Sequence, residues 1–265
     1  MGITLFKRFK KENLDINRID LDRKSIYSGI VVKLSQKLVT ETGLYDKEEL
    51  EEEIKSFLII MLENFPTFPL ERFKETFATL NINNRTLENN TSFYYNDLNS
   101  KSINLLSKDD LFHEFLHFAS DKNCEGKLMV GFEYSDEKIK RLGIGLNEGY
   151  TQLLANRCFP SSEHLFRELY TMEVVKRLED VIGREKMGDL YFNGNLFDII
   201  NELTELSSEE EAKQFILDLD NLCKIYHKNG TFGQNIEFMN ELLNKLCQYI
   251  DKCVLAKNNN KESVM

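Results

Sequence analysis

Five consecutive residues hold the most specific chemistry in the chain: His113-Glu114-Phe115-Leu116-His117. Positions i and i+4 share one face of a helix, so both imidazoles reach a single metal ion. Glu114 stands about 100° round the helix from His113. It lies off the ligand row but can touch a water on the metal. Two histidine ligands and a glutamate general base at this spacing are the arrangement of a zinc hydrolase. The chain has only four histidines, so two of them four residues apart carry weight. His164 and His227 read as surface residues near helix ends.

A helix bearing such groups has to be positioned. Leu111, Phe112, Phe115, Leu116, Phe118 and Ala119 make it apolar nearly all round. The pattern predicts a buried helix from Lys108 to about Ser120, with Ser107 and Asp110 as its N-cap pair. Before it, Thr91–Tyr95 and Ser102–Leu106 are β-prone runs that predict a hairpin. Further upstream, Asp46 and Glu49 predict a capping box opening a helix to about Asn64, stopped by Pro66 and Pro69. A helix from Leu70 to about Leu80 leads into an Asn-rich loop, Asn81–Asn90. Ser25–Val39 reads as a further helix.

Downstream, Lys127–Tyr134 reads as a strand or an extended loop. Gly143-Ile144-Gly145 is a flexible entry to a helix beginning near Leu146 or Asn147. After Pro160 the chain turns strongly helical. Ser161 and Ser162 cap a helix to about Ile182, and shorter helices fall at Glu185–Tyr191 and Leu196–Leu206. Ser208 and Glu211 form a second capping box for a helix to about His227. A last helix spans about Gln234 to Ala256.

The formal charge is −10, from 34 basic and 44 acidic residues, which argues against a protein that coats nucleic acid or an anionic membrane. Phe57–Leu62 is the longest apolar run and is far too short to span a bilayer. The five cysteines lack CxxC spacing and read as free thiols. The first residues lack the apolar core of a signal peptide. Together these features predict a cytoplasmic protein.

A second motif, Leu146-Asn147-Glu148-Gly149-Tyr150, follows on the next predicted helix. With His113-Glu114-Phe115-Leu116-His117 it resembles the gluzincin metallopeptidases, whose third zinc ligand is a glutamate on a downstream helix. The resemblance spans Ser102 to Asn156. It implies His113, His117 and Glu148 as zinc ligands and Glu114 as catalytic base. The fourth position stays open for a water. It also implies an α+β, mainly helical, zincin-like fold, with a small mixed sheet next to the active-site helix and a helical C-terminal lobe. In that fold Ser102–Leu106 takes the place of an edge strand that binds extended peptide by β-augmentation. The oxyanion-stabilising group comes from the downstream helices, and Tyr170 is chosen over Tyr150, Tyr191, His164 and His227. Thr151 and Gln152, on the helix face of Glu148, are candidate partners for a ligand imidazole.

The expected layout is an arm at 1–20, a catalytic lobe at 21–160, a helical lobe at 161–257 and a tail at 258–265. The expected function is that of a zinc metallopeptidase, a hydrolase acting on a peptide or protein substrate, with no nucleic acid or membrane partner. The alternative is a zincin-fold regulatory or interaction protein: a dedicated single-substrate protease or an antirepressor-like factor without general peptidase activity.

Overall fold

The computed structural model describes residues 23–24, 27–30, 45–77, 79–84, 93–97, 100–122, 126–159, 169–229 and 236–262. Over these residues the protein is mainly helical with a small sheet. Most of the Ser25–Val39 helix, the 1–20 arm and the Ser161/Ser162 cap lie outside the described residues.

Helix α1 (Lys47–Asn64) starts where its capping residue stands. The Asp46 carboxylate accepts the Glu49 amide at 2.7 Å, which satisfies one of the free N–H groups of the first turn. Leu50, Ile54, Phe57, Leu58 and Met61 recur at helical spacing and are fully buried. Helix α2 (Leu70–Phe77) follows the two prolines and buries Leu70, Phe73 and Phe77.

Strands β1 (Leu80–Asn84), β2 (Phe93–Asp97) and β3 (Ser100–Leu105) form a mixed sheet in the order β1-β3-β2. β2 and β3 are the expected hairpin, pairing antiparallel from Phe93 with Asn104 to Asp97 with Ser100. β1 pairs parallel with β3, from Leu80 with Lys101 to Asn84 with Leu105. This corrects two expectations. The start of the Asn-rich segment is a strand rather than a loop, although asparagine disfavours strands. Because β1 covers its other side, the Ser102–Leu106 strand is central, and the edges are β1 and β2.

A single 3₁₀ turn (Lys108–Asp110) leads into helix α3 (Leu111–Ser120). Ser107 and Asp110 make no side-chain cap bond there, so this entry differs from the expected N-cap pair. β4 (Leu128–Val130) and β5 (Glu133–Ser135) form a short antiparallel hairpin. Helix α4 (Ile144–Cys158) begins slightly before its expected start.

The remaining helices are α5 (Leu169–Ile182), α6 (Arg184–Phe192), α7 (Leu196–Thr204), α8 (Glu209–Asn229) and α9 (Ile236–Glu262). Ser208 accepts the Glu211 amide at 3.3 Å, as its capping-box pattern predicts. α9 continues past Ala256, an inexpensive extension once a helix is nucleated. α4 packs on α3, α5 and α8, while α9 packs on α5 and α8.

Aromatic side chains fix α3 in this frame. Phe57 of α1 lies 5.4 Å, ring to ring, from Phe115 and 6.3 Å from Phe112. Phe73 of α2 meets Phe118 edge-on at 5.0 Å. Phe57 and Phe73 also stack on each other at 5.9 Å, so one Phe-rich cluster holds the metal-spaced helix. At its C-terminal end, Arg72 of α2 donates to the Ala119 carbonyl at 3.3 Å and to Phe192 O at 2.5 Å. Asp121, just beyond α3, forms a buried ion pair with Lys101 of β3 and accepts the Tyr94 hydroxyl of β2 at 2.7 Å. Sheet, α2 and α6 are thereby tied to one helix end.

Candidate metal centre

His113 and His117 project from the same face of α3, and their Nε2 atoms lie 3.1 Å apart. Glu148, in the second turn of α4, places Oε2 3.3 Å from His113 Nε2 and 3.5 Å from His117 Nε2. Donors about 2.0–2.1 Å from a tetrahedral zinc stand roughly 3.3 Å from one another. The three atoms thus have the spacing of one face of such a tetrahedron. A His₂Glu donor set suits zinc and leaves one position for a reactant. Among the described residues, this is the group of His, Cys, Asp and Glu side chains able to share one ion. The imidazoles are 9% and 8% exposed and the Glu148 side chain 23%, so the triad opens to solvent on the glutamate side.

Close helix packing places Glu148. A Cβ on Gly149 would lie 2.9 Å from the Thr171 carbonyl carbon and oxygen, so only glycine lets α4 approach α5 this closely. The glycine of the Asn-Glu-Gly run is therefore a helix-contact residue directly beside Glu148.

The electrostatics follow from burial and proximity. Burial alone would push the His117 imidazole down. The Glu148 carboxylate, by charge and hydrogen bond, together with Glu114 and Glu133, overrides it and raises the imidazole from 6.5 to about 9. Burial also works to raise Glu148, yet the His117 charge and hydrogen bonds from both imidazoles hold it well below the ordinary carboxylate value. Glu114 goes the other way. Burial pushes it up, and the pull of His113 and His117 only partly offsets this. A carboxylate raised in this manner is suited to taking up a proton. Among the described residues none hydrogen-bonds the Glu114 carboxylate.

The His117 imidazole is partnered by Asn147, where Thr151 and Gln152 are the expected candidates. Asn147 Nδ2 lies 3.3 Å from His117 Nδ1, and its Oδ1 accepts the Phe132 amide at 3.1 Å. Thr151 bonds the Asn147 carbonyl at 2.8 Å and the Tyr191 hydroxyl at 2.7 Å, so it supports the helix behind the site. Gln152 donates to Asn156 at 2.7 Å. Among the described residues, none hydrogen-bonds the buried Nδ1 of His113. Glu133 of β5, buried, receives two bonds from the exposed Arg141 guanidinium, one of them at 3.0 Å. Neither residue stood out in the sequence, because their pairing depends on the turn between β5 and α4.

Tyr170 lies in the first turn of α5, half-buried against the core and one residue before the Thr171 contact with Gly149. The hydroxyls of Tyr150 and Tyr191 are committed elsewhere. Tyr150 donates to Glu179 at 3.2 Å, and Tyr191, fully buried, pairs with Thr151. His164 and the side chain of His227 lie outside the described residues. No helix among the described residues is long and apolar enough to cross a membrane.

Comparisons with protein-family models, with curated proteins and with solved structures give no match.

Proposed function

We propose that the protein is a zinc-dependent metallopeptidase of the gluzincin type with a zincin-like fold. One observation carries this reading: three donor atoms from two helices stand 3.1, 3.3 and 3.5 Å apart, beside a buried glutamate whose carboxyl is raised. His113, His117 and Glu148 would hold the ion. When bound, zinc supplies a Lewis acid that polarises a carbonyl and acidifies a water.

The chain's own groups do the rest. Glu114 receives the proton of the attacking water on its carboxylate and returns it to the leaving amine nitrogen. Asn147 orients the His117 ring through Nδ1. The Phe-rich core shields the back of the site from bulk water, which strengthens each charge interaction within it. Tyr170 is the proposed oxyanion donor. The buried thiols of Cys158, Cys223 and Cys253 fit a reducing, cytoplasmic setting.

A peptide-library cleavage screen of the zinc-loaded protein against Glu114→Gln tests the proposal. Removing a general base should lower turnover by about 10²–10⁴-fold while zinc stays bound. Equal cleavage by both proteins would reject the assignment of Glu114.

A further inference from the structure

Helix α4 has no side-chain cap of its own. Its first residues follow Gly143, which has φ 80° and contributes no capping group. A helix start leaves several amides without partners. Here two amides at the start are met from a distant part of the chain. Asp220 of α8, only 1% exposed, accepts the Gly143 amide at 2.9 Å through Oδ2 and the Gly145 amide at 2.8 Å through Oδ1. The carboxylate also lies at the positive end of the α4 dipole. The contact is tight: a Cβ on Gly145 would fall 2.3 Å from the Leu219 carbonyl oxygen.

Glu148 follows one turn later. Turning α4 by about 10° would move a group some 5–6 Å from its axis by roughly 1 Å. Metal–ligand distances tolerate only about 0.2 Å. A device that fixes the rotation of α4 at its start therefore sets the position of the third ligand.

We infer that Asp220 is a positioning residue for the metal centre, acting from α8 through the two amides to hold Glu148 against the histidines. The inference rests on the reading of His113, His117 and Glu148 as zinc ligands. It makes the helical segment after residue 169 part of the site rather than a separate support.

Asp220→Asn is nearly isosteric and keeps one acceptor, so it is the variant of choice; Asp220→Glu keeps the charge and displaces it. Leu246→Ala, a core truncation on α9 away from α4, controls for lost stability. Each full-length protein is stripped of metal, shown to be folded by near-ultraviolet circular dichroism, and titrated with zinc against a chromophoric chelator. Cobalt is then added and its visible bands recorded. Asp220→Asn is expected to weaken zinc binding by about 10- to 100-fold and to change the cobalt bands. Asp220→Glu should fall between it and the wild type, and Leu246→Ala should match the wild type in both readouts.

Zinc affinity within twofold of wild type in both Asp220 variants, with unchanged cobalt bands, would overturn the inference. So would a loss in Leu246→Ala equal to that in Asp220→Asn. A wild-type protein that binds no zinc would instead overturn the ligand assignment and this inference with it.

Discussion

Asn147 and His117 meet across the α3–α4 contact, with the amide Nδ2 3.3 Å from the imidazole Nδ1. Asn147 immediately precedes Glu148, so one helix turn supplies both the proposed third ligand and the partner of a proposed ligand imidazole. A metal-bound imidazole carries its proton on the far nitrogen and needs an acceptor there. Turned over, the Asn147 amide offers Oδ1, at the expense of its bond to the Phe132 amide.

Asn147→Leu should therefore weaken zinc binding by about 10- to 100-fold while the apo protein still folds. Competition with a chromophoric chelator measures it. Unchanged affinity would remove Asn147 from the site.

Without metal, His117 and Glu148 form a charged pair, and its pH dependence has a definite sign. A raised imidazole contributes stability that is fully present below pH 6.5 and lost as pH rises through about 9. Glu148, held low, contributes stability present above its ordinary 4.5 and lost as pH falls through its depressed value. Denaturant melts of chelator-treated protein should thus weaken from pH 6.5 to 9. Zinc must displace the His117 proton, so its affinity should rise roughly tenfold per pH unit over the same window. Flat melts with pH-independent zinc binding would contradict the pairing.

Phe57 touches five other phenylalanine rings, including Phe112 and Phe115 on the metal-spaced helix. Phe57→Ala should destabilise the protein by about 3–5 kcal/mol. Urea unfolding measures the loss. A cost below about 1 kcal/mol would mean that the cluster does not anchor α3.

Gly149→Ala places a methyl group against the Thr171 backbone and the branched Val175 side chain, and the backbone cannot swing aside. The helices must separate, at a cost of about 1–3 kcal/mol. Because Glu148 moves with α4, zinc affinity should fall as well. A variant as stable as wild type by thermal melt would show that the contact has slack.

Much of this site is legible in the residues because its geometry is local. The i, i+4 spacing of His113 and His117 sets one helix face, and the apolar coat of Phe112, Phe115 and Phe118 buries that helix wherever it packs. Asp46 and Ser208 mark helix starts for the same reason: a cap and its amide are close neighbours in sequence. What stayed hidden depends on distant partners. β1 is held by parallel pairing with β3, which overrides the poor strand preference of Asn81, Asn83 and Asn84. That pairing moved the Ser102–Leu106 strand from the edge to the centre of the sheet. Asp220 caps a helix that starts far upstream in the chain, so no local pattern announces it. The Asn147 contact with His117 depends on how α4 packs on α3, which no local pattern in the motif encodes.

The metal content of the purified protein tests the central claim most directly. Wild type, His113→Ala and Glu148→Ala are each dialysed against zinc, freed of excess and analysed for bound metal. A tetrahedral site built by these residues predicts about one zinc per chain in the wild type and little in either variant. Stoichiometric zinc in both variants, or none in the wild type, would contradict the account.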